Sequence, residues 1–168
     1  MLLKFTLFAV SLIWLAPAML GQDITGRTAA DDQNETMLDT LKRMQIKREE
    51  NEHKKLLEKG AQIKGEAEAL AKEVPESAGN RLPRPSEKRL KDIEKFAKQI
   101  RSESGGSEDE PLASPPGNLS EAIKQLGEVS ERLNVNLAKT SRSVISIAVV
   151  DDTTQIVQLV KILRGYLK

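Results

Sequence analysis

Apolar residues recur along this chain at helical spacing, and the stretches between them break on proline and glycine. Residues 35–74 predict one long helix, with apolar positions Met37, Leu38, Leu41 and Met44, then Leu56 and Leu57, then Ile63, Ala67, Leu70 and Val74. The last four lie four, three and four residues apart, which places them on one helix face. Lys47 to Lys55 is almost wholly charged and predicts solvated helix, with Glu50–Lys54 and Glu68–Lys72 at the favourable i,i+4 spacing. Pro75 ends the pattern, and residues 75–85, with Pro83 and Pro85, predict a stiff linker. Ser86 is a natural N-cap for a second helix over 86–101, whose apolar stripe is Leu90, Ile93, Ala97 and Ile100 with Phe96 beside it.

Residues 102–117 contain Gly105-Gly106, the acidic run Glu108-Asp109-Glu110, and Pro111, Pro115 and Pro116. Such a composition buries little apolar surface and predicts a disordered linker. A C-terminal helical hairpin is expected over 118–168, with Leu119–Lys139 set against Thr153–Leu167. Asn118 and Glu121 have the spacing of a capping box. Ile123, Leu126, Leu133, Leu137, Val144 and Ile147, with Ser130 and Thr140 in the intervening positions, have the spacing of a coiled-coil or bundle seam. Val144 to Val150 suits either helix or strand. Asp151 or Asp152 would then cap a final helix carrying Ile156, Leu159, Val160, Leu163 and Leu167. The expected fold class is all-α: elongated helices with a C-terminal helical hairpin or coiled-coil-like segment, joined by flexible linkers.

The N-terminus has a different pattern. Lys4 is followed by an uncharged run from Phe5 and by the small residues Ala16-Pro17-Ala18, and the chain turns polar at Gln22-Asp23. That order predicts a secretory signal peptide over residues 1–21. As a helix, Phe5 to Leu20 would reach about 24 Å against a bilayer core of about 30 Å, so cleavage is favoured over retention. The expected location is secreted or periplasmic; the alternative is an ectodomain tethered to the membrane by an uncleaved signal anchor. Residues 22–34, with Gly26 and Asp31-Asp32, predict a flexible lead-in.

Composition narrows the partners. The chain has 26 Lys and Arg against 25 Asp and Glu, and Lys4 lies in the leader, so the remainder is balanced. A general nucleic-acid binder carries a basic excess, so no nucleic-acid partner is expected. Beyond the leader the aromatic residues are Phe96 and Tyr166 alone, which points to helices meeting along Leu, Ile and Val seams. There is no cysteine, which excludes disulfides, thiolate metal sites and cysteine nucleophiles and leans towards a bacterial envelope protein.

Few residues suggest chemistry. Glu50 and His53 have the Glu-x-x-His spacing of di-iron bundles, but those sites need a second such pair and two further glutamates. Ile147-Ala148-Val149-Val150-Asp151-Asp152 and the helix after it are similar to the opening strand, acidic turn and first helix of response-regulator receiver domains. There, the acidic pair helps bind magnesium beside a phospho-accepting aspartate. The resemblance covers about 25 residues with no later strand to supply the acceptor, so the run is expected to be an apolar turn into an Asp-capped helix. Asn34 and Asn118 begin N-glycosylation sequons that matter only in a eukaryotic secretory pathway.

The strongest local signal is electrostatic. Arg81 to Arg101 holds eight basic residues against three acidic ones. Arg84, Lys88, Lys91, Lys95 and Lys98 form a stripe nearly opposite Leu90, Ile93, Ala97 and Ile100, and are the candidate contact residues for an anionic surface. The competing expectation is an ordinary amphipathic helix in a bundle, with Glu108-Asp109-Glu110 as a partner. The expected function is that of an exported, non-enzymatic helical protein with a structural or protein-interaction role in the cell envelope. It would act through a protein partner or through self-association along the helical seam, without catalytic residues, cofactor or metal. The alternative is a peripheral binder of anionic membrane or envelope polymer through the basic helix 84–101.

The leader supplies a direct test, because Trp14 is the sole tryptophan. Protein recovered from its natural compartment should lack tryptophan fluorescence and be lighter than the full chain by about 2 kDa. Recovery of intact, membrane-bound protein with Trp14 present would establish the anchor instead.

Overall fold

Helix is the only extended secondary structure among the residues that this computed structural model describes, which are 29–74, 81–106, 111–141 and 146–167, with side chains from Thr36 onward. The helices are α1 (Ala29–Glu73), α2 (Ser86–Glu103), α3 (Leu119–Lys139) and α4 (Ile147–Arg164), and the fold is all-α. The chain divides into two units, Met1–Thr40 and Leu41–Lys168. The first contributes the opening turns of α1. The second holds the core.

Several boundaries differ from the sequence expectation for physical reasons. α1 starts at Ala29, inside the expected lead-in, where Ala29 and Ala30 favour helix. The expected signal peptide and residues 22–28 lie outside the described residues. So do 75–80, the acidic run 108–110 and Val144. α4 starts at Ile147, with Ser146 at the N-cap position, so the β-branched run from there to Val150 is helical and the strand–turn likeness does not hold. Asp151 and Asp152 sit within the helix and cap nothing.

The core is aliphatic and is assembled from all four helices. α1 contributes Ile63, Ala67 and Leu70; α2 contributes Leu90, Ile93, Ala97 and Ile100; α3 contributes Leu119, Ala122, Leu126, Leu133 and Leu137; α4 contributes Val149, Ile156, Val157, Leu159, Val160 and Leu163. On α2 the buried residues recur at three and four, so one narrow stripe faces inward. On α4 both members of adjacent pairs are buried, because this helix packs on α2 and on α3. Ile147, expected on the seam, is instead 76% exposed. Ser130 and Thr153 occupy core positions without leaving a hydroxyl unpaired, since they donate to the carbonyls of Leu126 and Val149 one turn back at 2.6 and 2.9 Å.

Contacts along the helices fix their directions. Arg89 meets Glu73 and Glu66 while Lys59 meets Glu103, so α1 and α2 are antiparallel. Lys64 meets Glu131, and a Cβ on Gly60 would stand 2.6 Å from Leu137 Cδ1, so α1 and α3 are antiparallel at close approach. Arg164 meets Glu94 while Gly106, past the end of α2, lies against Val150, and Arg132 reaches Gln155 while Asn136 reaches Asp152, so α4 is antiparallel to both α2 and α3. α2 and α3 therefore run the same way, and the chain between them must travel the length of the bundle. This is a four-helix arrangement with one long crossover.

Local chemistry starts and ends that crossover. Gly105 takes φ 79° after α2, while Gly106 N–H donates to Arg101 C=O and Gly105 N–H to Ser102 C=O. These are the paired bonds of a Schellman motif. A Cβ at Gly106 would fall 2.6 Å from Val150 Cγ1, so only glycine lets the turn lie against α4. Leu112 packs on the core. At the far end Asn118 Oδ1 accepts from Glu121 N–H at 2.8 Å, and Glu121 Oε2 accepts from Gly117 N–H at 2.7 Å. The box closes one residue earlier than the usual pattern. Leu82 N–H donates to Tyr166 C=O at 3.0 Å, tying the tail of α4 to the connector before α2.

Leu133 has no exposed surface. Leu133→Ala should cost about 2–5 kcal/mol in urea unfolding. A loss within measurement error would show that α3 is not held in this core.

Candidate interaction surfaces

The basic stripe is placed by burial of the opposite face. Leu90, Ile93, Ala97 and Ile100 enter the core, and Arg84, Lys88, Lys91, Lys95 and Lys98 are left exposed. The structure brings all five to one side, but their surroundings differ. Lys98 Nζ lies 2.6 Å from Glu94 Oε1, and Lys95 Nζ lies 5.9 Å from the centroid of the Phe96 ring. Arg84, Lys88 and Lys91 border a cleft of about 620 Å³ together with Glu66, Glu87, Arg89 and Asp92. Among the described residues these three make no ion pair. Because the apolar face of α2 is in the core, this helix has no free apolar face to insert into a bilayer, and contact with an anionic surface would rest on charge alone.

Beneath the cleft, Arg89 ties α2 to α1. Its Nε and Nη2 donate to Glu73 Oε1 at 2.9 and 2.7 Å, and its Nη1 donates to Glu66 Oε2 at 2.6 Å. Hydrogen bonding to Glu73, then to Glu66, raises the guanidinium pKa above its ordinary value, so the charge is fixed. Pro85 occupies the position before α2, and Ser86, expected as the cap, is the first helical residue, with a buried hydroxyl that makes no capping bond. Proline has already set the helical φ, which turns Ser86 inward.

A second polar cluster was not legible in the sequence. The side chain of Asp152 is 3% exposed; its Oδ1 accepts from Arg132 Nε at 2.6 Å and its Oδ2 from Asn136 Nδ2 at 2.7 Å. Arg132 Nη2 also donates to Gln155 Oε1 at 2.9 Å. The cluster borders a cavity of about 680 Å³ between α3, α4 and the crossover residues Pro111 to Ser114. Its polar groups answer one another, and the arrangement sets the register of α3 on α4.

Glu94 is a third tie. It sits between Lys98 on its own helix and Arg164 of α4, at 2.6 and 2.5 Å. Burial is the largest single influence and pushes its pKa up, but the bond from Lys98 and the charges of Arg164 and Lys98 together outweigh burial and leave it below the ordinary value.

The remaining surface feature lies on α1. Met37, Leu38, Leu41, Met44 and Ile46 are all exposed, whereas Leu56 and Leu57 are partly buried and Ile63 is fully buried. The sequence marked the first four as an apolar patch but could not show that nothing in the core covers them. His53 is half-buried and Glu50 exposed, and among the described residues no group of three His, Asp or Glu converges to hold a metal. Among those residues, too, no helix is long and apolar enough to cross a membrane. No protein family model, curated protein or solved structure matches this chain.

The lowered pKa of Glu94 has a pH consequence. A carboxylate held below its ordinary value of 4.5 contributes stability that is present above that pH and is lost as the pH falls through the folded value. Glu94→Gln should therefore cost about 1 kcal/mol at neutral pH, with the gap from wild type closing in acid. An equal gap at both ends of the pH range would remove the ion pairs as its cause.

Proposed function

We propose that this chain is an exported, non-enzymatic helical protein whose four-helix core presents α1 as a docking helix. The observation that carries the reading is the contrast along one helix. Ile63, Ala67 and Leu70 are buried in the core, while Leu41 and Met44, on the same helix, remain 53% and 62% exposed. Isolated exposed leucines are ordinary on a protein surface. Here Leu41 and Met44 lie three residues apart on α1, which puts both on one helix face. Apolar residues at such spacing suit a partner helix or groove. Export follows from the signal-peptide pattern of residues 1–21, and a balanced net charge fits a protein partner better than a nucleic acid.

A second reading, attachment to an anionic membrane or polymer, is favoured by one observation: Arg84, Lys88 and Lys91 are exposed and carry no ion pair among the described residues. It predicts salt-sensitive binding to anionic vesicles. Each basic residue near such a surface contributes about 1 kcal/mol, so changing Lys88, Lys91 and Lys95 to Glu should abolish that binding. Wild type that ignores anionic vesicles at low salt would end this reading.

The docking reading is tested by Leu41→Glu combined with Met44→Glu. The melting temperature should stay within about 2 °C of wild type, because neither side chain is in the core. The native size of the protein in the exported fraction should fall to that of the monomer. An unchanged native size would show that α1 docks nothing.

A further inference from the structure

Two polar groups on the wall of the cavity between α3, α4 and the crossover are left without partners by the Arg132–Asp152 cluster beside it. Thr154 lines this cavity of about 680 Å³ and is only 8% exposed. Ser130, Thr140 and Thr153 each donate to the carbonyl one turn back. The Thr154 hydroxyl makes no hydrogen bond among the described residues, and a hydroxyl so nearly buried is costly to leave unpaired. Asp151 lines the same cavity, and its carboxylate makes no ion pair among the described residues. The two residues are three apart on α4 and so share a helix face.

Electrostatics select the sign of what fits there. Arg132 is the basic residue on the wall, and its charge is answered by the buried carboxylate of Asp152 at 2.6 Å. Glu128 and Asp151 are the acidic ones; Glu128 has Lys124 at 3.9 Å, and Asp151 has nothing comparable. The charge left over is negative. The rest of the wall is partly apolar: Val129 and Leu159 are buried core residues, and Leu112 packs on that core from the crossover. Small-molecule sites span roughly 300–1,000 Å³ and combine an apolar lining with a few placed polar groups. We infer that this cavity binds a small organic cation, a primary ammonium group on an aliphatic body. The ammonium donates to the Asp151 carboxylate and to Thr154 Oγ1, while the body lies along Leu112, Val129 and Leu159. An anionic ligand would meet Asp151 and Glu128 with like charge. A bare metal ion is a poor occupant, because among the described residues no three His, Asp or Glu converge to hold one. The site is built by α3, α4 and the crossover, and does not depend on what α1 docks.

Octylammonium is the probe, with octanol and octanoate as neutral and anionic partners of the same length. Calorimetric titration of the wild-type protein should show saturable one-to-one binding of octylammonium, with the other two weaker by about tenfold or more. Asp151→Asn should weaken octylammonium binding about tenfold and Thr154→Val severalfold. Asp92→Asn, beside the separate cleft on α2, should leave it unchanged. In wild type the methyl resonances of Leu112, Val129 and Leu159 should shift on titration while those of Leu70, in the α1 part of the core, stay in place. These shifts need no substitution, so a variant that fails to fold does not remove the test. Wild type that takes up no octylammonium, or that binds octanoate as tightly, would overturn the inference. So would methyl resonances at the cavity that do not move, or binding that a folded Asp151→Asn protein retains in full.

Discussion

Everything in this core depends on α4 being apolar on more than one side. Ile156 and Val157 are both buried, and so are Leu159 and Val160; adjacent residues point about 100° apart on a helix, so burying two such pairs on neighbouring turns takes a face wider than one stripe. α4 therefore requires a neighbour on each flank, and it packs on α2 and α3. Each fully buried aliphatic side chain contributes roughly 1.5–3 kcal/mol, so this double burial is a large share of the stabilisation in a chain with few aromatics. Once α2 and α3 are both antiparallel to α4 they run in the same direction. The long crossover follows from that, and with it the Gly105-Gly106 turn at one end and the Asn118 box at the other.

Polar contacts refine what the aliphatic core begins. Arg89, Asp152 and Glu94 each tie two helices at a stated register, and each is answered by partners from a neighbouring element. Their contribution is directional: removing one leaves a buried or half-buried charge without its partner, which costs more than the pair itself contributes. The effect is to fix which turn of α2 faces α1 and which turn of α3 faces α4. The outer faces are then defined by default. The basic side of α2 and the apolar start of α1 are both outside because their opposite faces, or their later turns, are in the core.

The helical periodicities of α2 and α3 were legible in the sequence because each has one inward stripe, and the stripe Leu90, Ile93, Ala97 and Ile100 is buried where the spacing placed it. α4 was harder to read. Its two-sided burial erases the amphipathic signal, and Val149 and Val150 resemble a strand locally, so Asp151 and Asp152 have the local pattern of a cap although they lie inside the helix. The partners of Arg89 and Arg132 are 16 and 20 residues away, a separation that no local pattern encodes. The basic stripe was visible as charge, but only the packing of α2 shows that its apolar side is already occupied. Likewise Met37 to Met44 looks in sequence like the other apolar patches of α1, and only burial separates a core face from a free one.

Hydrogen exchange resolved by segment tests the central claim that α4 draws α2 and α3 into one core. Amide protection reports the free energy of local or global opening. α2, α3 and α4 should exchange slowly and lose protection together as denaturant is added, because α4 cannot release one flank without exposing the other. Residues 41–55 of α1, outside that core, should exchange far faster at every denaturant concentration. If α2 instead exchanged as fast as that segment while α3 and α4 stayed protected, α4 would be satisfied by α3 alone and would not draw α2 into the core.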